Sequence, residues 1–121
     1  AYDQAFQQTS WAITPIHATA DKQTCYHLYQ LRIADVSEEQ RDAIIQEIFE
    51  HDVAVNVHFQ PLPLLTAYKN LGYKMEDYPE AWGKYSTEIS LPVYFNLTDE
   101  QVQQVISAVT QSVQKVLKLN D

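Results

Sequence analysis

Apolar and polar positions repeat along this chain with two periods, and each change of period marks a new element. The run CYHLYQLRI at residues 25–33 holds no Gly or Pro and is rich in Tyr, Leu and Ile. It predicts a strand with Tyr29, Leu31 and Ile33 on one face and Leu28, Gln30 and Arg32 on the other. Ser37 and Gln40 then stand three apart as a capping-box pair, opening a helix that ends near His51 or Asp52. Glu38 and Glu39 suit the positive end of its dipole, and Ile44, Ile45, Ile48 and Phe49 form its apolar stripe. From Val53 the period returns to two. Val53, Val55, Val57 and Phe59 alternate with Ala54, Asn56, His58 and Gln60, which predicts a half-buried strand stopped by Pro61 and Pro63.

The second half follows the same logic. Residues 64–71 predict a short helix closed by Gly72, and Tyr78-Pro79 starts another, with Pro in the first turn. Ile89, Leu91 and Val93 alternate as a third strand, which Pro92 confines to a sheet edge or to its own end. Thr98 and Gln101 form a second capping box. Val102, Val105, Ile106, Val109 and Val113 continue it as an amphipathic helix of about 30 Å. At the N-terminus residues 2–11 read as a helical stub and residues 13–24 as an extended connection. The order predicts an α+β two-layer domain: a three- or four-stranded, mainly antiparallel sheet packed against helices. The expected division is a stub and connection at residues 1–24 and the domain proper at residues 25–121.

Composition narrows what such a domain does. A chain of 121 residues has material for one core. Sixteen Asp and Glu against eight Lys and Arg give a net charge of -8, which argues against a nucleic-acid backbone binder. The single cysteine forms no internal disulfide and gives no sign of an oxidising compartment. No apolar run approaches the roughly 18 residues of a membrane helix, and no leader pattern is visible. The expectation is therefore a cytoplasmic protein with no membrane partner. The chain opens on Ala1 in mid-pattern, so a processed product or a fragment of a longer protein is expected.

Candidate chemistry is sparse. None of His17, His27, His51 and His58 pairs with another ligand at metal spacing. His51 reads as a solvated residue near a helix C-terminus, and His27 as a structural, hydrogen-bonded residue within a strand. Cys25 reads as a small buried hydrophobe. The helical spacing of Tyr73, Tyr78, Trp82 and Tyr85 favours packing in a core or an interface. Gly72 and Gly83 are the only glycines, so no phosphate-binding loop is available. His58 stands apart: flanked by Asn56 and Gln60, it lies at a strand end just before a Pro-bounded turn, where sites are commonly built. From position alone it reads equally as a ligand contact or a surface histidine. No complete catalytic constellation is present.

The stretch VNVHFQPLPLL at residues 55–65 resembles the small-domain strand of the DegT/DnrJ/StrS family of pyridoxal-phosphate-dependent sugar aminotransferases. Other segments fall in that family's order. They are YHLYQLRI at 26–33, RDAIIQEIFEHDVAV at 41–55, LGY at 71–73, YPEAWGKYSTEISLPV at 78–93 and LTDEQVQQVI at 97–106. The resemblance implies the C-terminal small domain of a fold-type I enzyme, with residues 1–24 leading in from a large domain. It implies no catalytic and no cofactor-binding residue in this chain. The lysine that carries pyridoxal phosphate, the carboxylate for its ring and its phosphate groups would lie in the large domain. His58, Phe59 and Asn56 are the implied substrate-binding residues. Phe59 stands where the family often has Tyr, and Pro63 where it often has a second His. The implied full-length protein is a homodimer moving an amino group from glutamate or glutamine to a nucleotide-linked keto sugar. The chain alone would be inactive. The alternative is a stand-alone small-ligand-binding or dimerisation domain without catalysis.

Overall fold

A five-residue helix is too short to persist on its own, yet the chain begins with one, α1 (Tyr2–Phe6). In the computed structural model, which describes residues 1–119, packing holds it in place. Tyr2 and Phe6 are buried, and Trp11 closes over Phe6 with ring centroids 5.7 Å apart. Two hydroxyls add direction. Tyr2 donates to the Pro92 carbonyl at 3.0 Å, and Tyr29 donates to Asp3 Oδ1 at 2.7 Å. Burial pushes the Tyr2 hydroxyl up to about 12, and burial together with Asp3 also pushes Tyr29 up, so both remain donors. Residues of the N-terminal stub thus share one core with the rest of the chain.

The sheet is an antiparallel meander of β1 (Ala12–Ile13), β2 (Tyr29–Ile33) and β3 (Glu88–Leu91), in that spatial order. Ala12 pairs with Ile33, and on the other side Leu31 pairs with Ile89 and Arg32 with Glu88. The α+β layering is as the sequence predicts. Tyr29, Leu31 and Ile33 point into the core, where they meet Ile44 and Ile48 of α2 (Glu38–Glu50) and Val105, Val109 and Val113 of α5 (Asp99–Leu117). Both capping boxes form. Ser37 and Thr98 accept from the amides of Gln40 and Gln101, whose side chains accept in return. Each cap is worth about 1 kcal/mol. Lys115 reaches Glu47 at 2.6 Å, and Gln104 reaches the His51 carbonyl at 3.2 Å, pinning α5 to α2 at two points.

Three sequence expectations require correction. The first strand begins at Tyr29, not Cys25; Cys25 and His27 are both exposed, so neither the buried thiol nor the strand histidine holds. Left-handed backbone at Tyr26 (φ 55°) breaks the extended run there. The alternating segment from Val53 forms only one bridge to β3, between Asn56 and Ser90. Side chains take over the next amides: Asn56 Oδ1 accepts from Val57 N–H and Glu88 Oε2 from His58 N–H, so no ladder continues. Val53 is buried, but Phe59 at the far end is 75% exposed. Finally, of the two alternatives for the Tyr73, Tyr78 and Trp82 cluster, core or interface, the core is excluded, because all three lie on the surface. They belong to the stretch of short turns and helices that includes α3 (Thr66–Asn70) and α4 (Pro79–Tyr85), with Gly72 at φ 90° ending α3.

Candidate functional site

The alternation that buries Tyr29, Leu31 and Ile33 sends Gln30 and Arg32 to the opposite face of β2, with Leu28 just ahead of the strand. There they floor an open groove of about 640 Å³, a volume within the usual range for small-molecule sites. The segment after β1, which folds back through an antiparallel bridge between Ala18 and Gln23, forms one wall and α4 another. His58 and Phe59 form a third.

Three hydrogen bonds fix the His58 segment. Gln30 Nε2 donates to the His58 carbonyl at 2.7 Å, and His58 N–H donates to Glu88 Oε2 at 3.0 Å. The Ser90 hydroxyl donates to the other Glu88 oxygen. The peptide between His58 and Phe59 is cis, and the two rings meet edge to face at 4.7 Å. The imidazole is half-buried. Its Nδ1 is fully enclosed yet has no hydrogen-bond partner among the described residues.

Of the three residues singled out in the sequence, His58 and Phe59 line the groove. Asn56 does not; its backbone pairs with Ser90 and its side-chain oxygen is taken by the Val57 amide. His17 also reaches the groove. Its Nε2 lies 3.2 Å from Asp3, and its ring stacks near Tyr26 and Tyr29. Sequence reasoning did not single out Gln30, Arg32 or Glu88. The signal was there in the period of two, which sets Gln30 and Arg32 opposite Leu31, and Glu88 and Ser90 opposite Ile89 and Leu91.

Glu88 is 4% exposed. Burial raises its carboxyl above the ordinary 4.5, against the opposing pull of Ser90, the His58 amide, and the charges of His58 and Arg41. The consequence has a definite sign. Between 4.5 and its folded value the native state holds a proton that the unfolded chain has released. The stability this contributes is full below 4.5 and is lost as pH rises through the folded value. Glu88→Gln is expected to flatten that segment of a stability-against-pH curve measured by urea unfolding. An unchanged slope would contradict the assignment.

All six lysines are exposed, and only Lys84 stands at the groove. Among the described residues no group of three or more His, Cys, Asp or Glu is placed to hold a metal ion, and no helix is long and apolar enough to cross a membrane.

Comparison with known proteins adds to this geometry. Residues 1–110 match the profile of the DegT/DnrJ/EryC1/StrS aminotransferase family. The chain is 38% identical over 114 residues to the uncharacterised protein MJ1066 of Methanocaldococcus jannaschii, covering 93% of this chain and 29% of that protein. It is 35% identical over 114 residues to the spore coat polysaccharide biosynthesis protein SpsC of Bacillus subtilis, covering 89% of this chain and 28% of that protein. Among solved structures, Spr1654 of Streptococcus pneumoniae, described as a sugar aminotransferase, superposes in its apo form with a TM-score of 0.91 at 42% identity. That match covers 97% of this chain and 29% of Spr1654. The chain therefore spans less than a third of the length of these relatives.

Proposed function

The chain belongs to the DegT/DnrJ/EryC1/StrS aminotransferase family, and from that premise we propose that it is the C-terminal small domain of a cytoplasmic, homodimeric sugar aminotransferase. In this reading residues 1–24 lead in from a large domain that holds pyridoxal phosphate, and residues 25–121 shape the substrate side of the cleft. When bound, that cofactor supplies the electron sink for moving an amino group. The reaction is amino transfer from glutamate or glutamine to a nucleotide-linked keto sugar.

The carrying observation is the place of His58 on the groove wall, with its backbone held by Gln30 and Glu88. A sugar hydroxyl or carbonyl seated in the groove would meet that imidazole. Phe59 presents an apolar ring edge beside it. Two further features support the reading. Spr1654 is known in a form with pyridoxal phosphate bound. The surface also carries large exposed apolar side chains, Leu62, Leu71, Tyr73, Tyr78 and Trp82, a density that marks a covered interface better than a free surface.

Two measurements test it. The full-length protein containing this chain is expected to purify with the visible absorbance of bound pyridoxal phosphate, while residues 1–121 alone bind none and transfer no amino group. In the full-length enzyme His58→Ala is expected to raise KM for the sugar nucleotide by about tenfold or more, with cofactor absorbance unchanged. Absence of cofactor from the full-length protein, or an unaltered KM, rejects the reading.

A further inference from the structure

The groove has the opposite charge balance from the chain around it. Acidic residues outnumber basic ones sixteen to eight overall. Yet the groove is lined by Arg32 and Lys84 with the imidazoles of His17 and His58, against the single carboxylate of Glu88. Arg32 and Glu88 sit directly opposite each other in the β2–β3 register. Opposite charges at such positions ordinarily pair. Here they do not. Both Glu88 oxygens are taken, by the Ser90 hydroxyl and the His58 amide. No hydrogen bond, ion pair or ring contact reaches the Arg32 guanidinium among the described residues. Arg32 is also half-buried, and its guanidinium carries five N–H donors. The other buried arginine, Arg41, shows the usual outcome, with carbonyl and carboxylate partners on Nε, Nη1 and Nη2.

A planar guanidinium, positioned in a groove and lacking an internal partner, matches the two-oxygen face of a phosphate or carboxylate. We propose that Arg32 is an oxyanion-binding residue on the groove floor, taking a phosphate or carboxylate group of the molecule that contacts His58. Lys84 on α4 adds unspecific positive charge at the rim. Glu88 keeps the arrangement open, because its bonds to Ser90 and the His58 backbone hold its carboxylate away from Arg32. The proposal deepens the amino-transfer reading and rests on it only for the identity of that molecule: a nucleotide sugar brings phosphates, an amino donor brings carboxylates.

The test uses the full-length protein as purified, with any bound cofactor left in place, titrated calorimetrically at low salt with inorganic pyrophosphate and, separately, with glutarate. The unsubstituted protein is expected to bind at least one probe. Arg32→Gln is expected to weaken that binding about tenfold or more. Arg32→Lys recovers part of it, keeping the charge without the fork. Lys69→Gln, on α3 and outside the groove, leaves it unchanged. Loss confined to pyrophosphate identifies the group as a phosphate; loss confined to glutarate identifies a carboxylate. Failure of the unsubstituted protein to bind either probe overturns the proposal, as does equal affinity in the Arg32→Gln protein. A large fall in Tm for Arg32→Gln with unchanged binding also overturns it, because that is the signature of an ion pair with another part of the protein. Cofactor absorbance plays no part in these titrations. A protein that takes up no pyridoxal phosphate therefore rejects the amino-transfer reading separately, with the role of Arg32 still decided by the probes.

Discussion

Phe6→Ala is expected to lower the stability of the protein by about 3–5 kcal/mol, the range for removing a fully enclosed aromatic ring. Phe6 is 0% exposed, stacks on Tyr2 and touches Trp11. The other residues of the same core cluster come from β2, β3, α2 and α5. The cavity would therefore open within the shared core, between Tyr2 and Trp11. For a domain of this size that loss corresponds to a fall in Tm of roughly 10–20 °C. Gln8→Ala, two positions on and exposed, is expected to stay within about 0.5 kcal/mol. Thermal and urea unfolding of the two variants decide the matter. A cost below about 1 kcal/mol for Phe6→Ala would mean that α1 is a peripheral tail and not part of the core.

Arg41→Met is the second large effect. Arg41 is 2% exposed in the first turn of α2, with its guanidinium 5.1 Å from the centroid of the Tyr85 ring. Nη1 donates to the Tyr85 carbonyl at 2.8 Å and to the Glu88 carbonyl at 3.0 Å, and Nε donates to Asp42 at 2.7 Å. This one side chain ties the end of α4 to the start of β3. Met fills the volume of the stem but leaves two carbonyls without their donor, and removing one partner from such a buried set costs about 3–5 kcal/mol. Buried ion pairs are sometimes replaced by apolar residues without loss, but only when both partners go together. Here the carbonyls remain. Hydrogen exchange should locate the damage: the Ile33 amide, bonded to the Thr87 carbonyl at 2.9 Å, and the His58 amide on Glu88 are expected to lose protection first. Neutral or improved stability would show that the carbonyls find water instead.

Where neighbouring residues decide the structure, the sequence showed it. Ser37 with Gln40 and Thr98 with Gln101 are satisfied within one turn, so both helix starts were legible. The alternation at Tyr29, Leu31 and Ile33 and the stripe through Val105, Val109 and Val113 named the core correctly. What failed depends on distant groups. The segment from Val53 has the composition of a strand, but its amides are claimed by Asn56 and Glu88 side chains, and no local pattern encodes that competition. Arg41 lies beside Asp42 in an ordinary charged turn, and only the return of the chain at Tyr85 and Glu88 makes it internal. At the groove, His58 was visible through its unusual neighbours. Arg32 was visible only as one polar position among many, because its significance lies in a partner that faces it and bonds elsewhere.

Strand β2 keeps its odd-numbered side chains for the interior and its even-numbered ones for the groove. Heritable change can therefore act on the two sets separately. Substitution at positions 30 and 32 changes the lining of the groove while the neighbouring odd positions go on filling the core. One face of a five-residue strand can therefore be rewritten while the other keeps the protein folded.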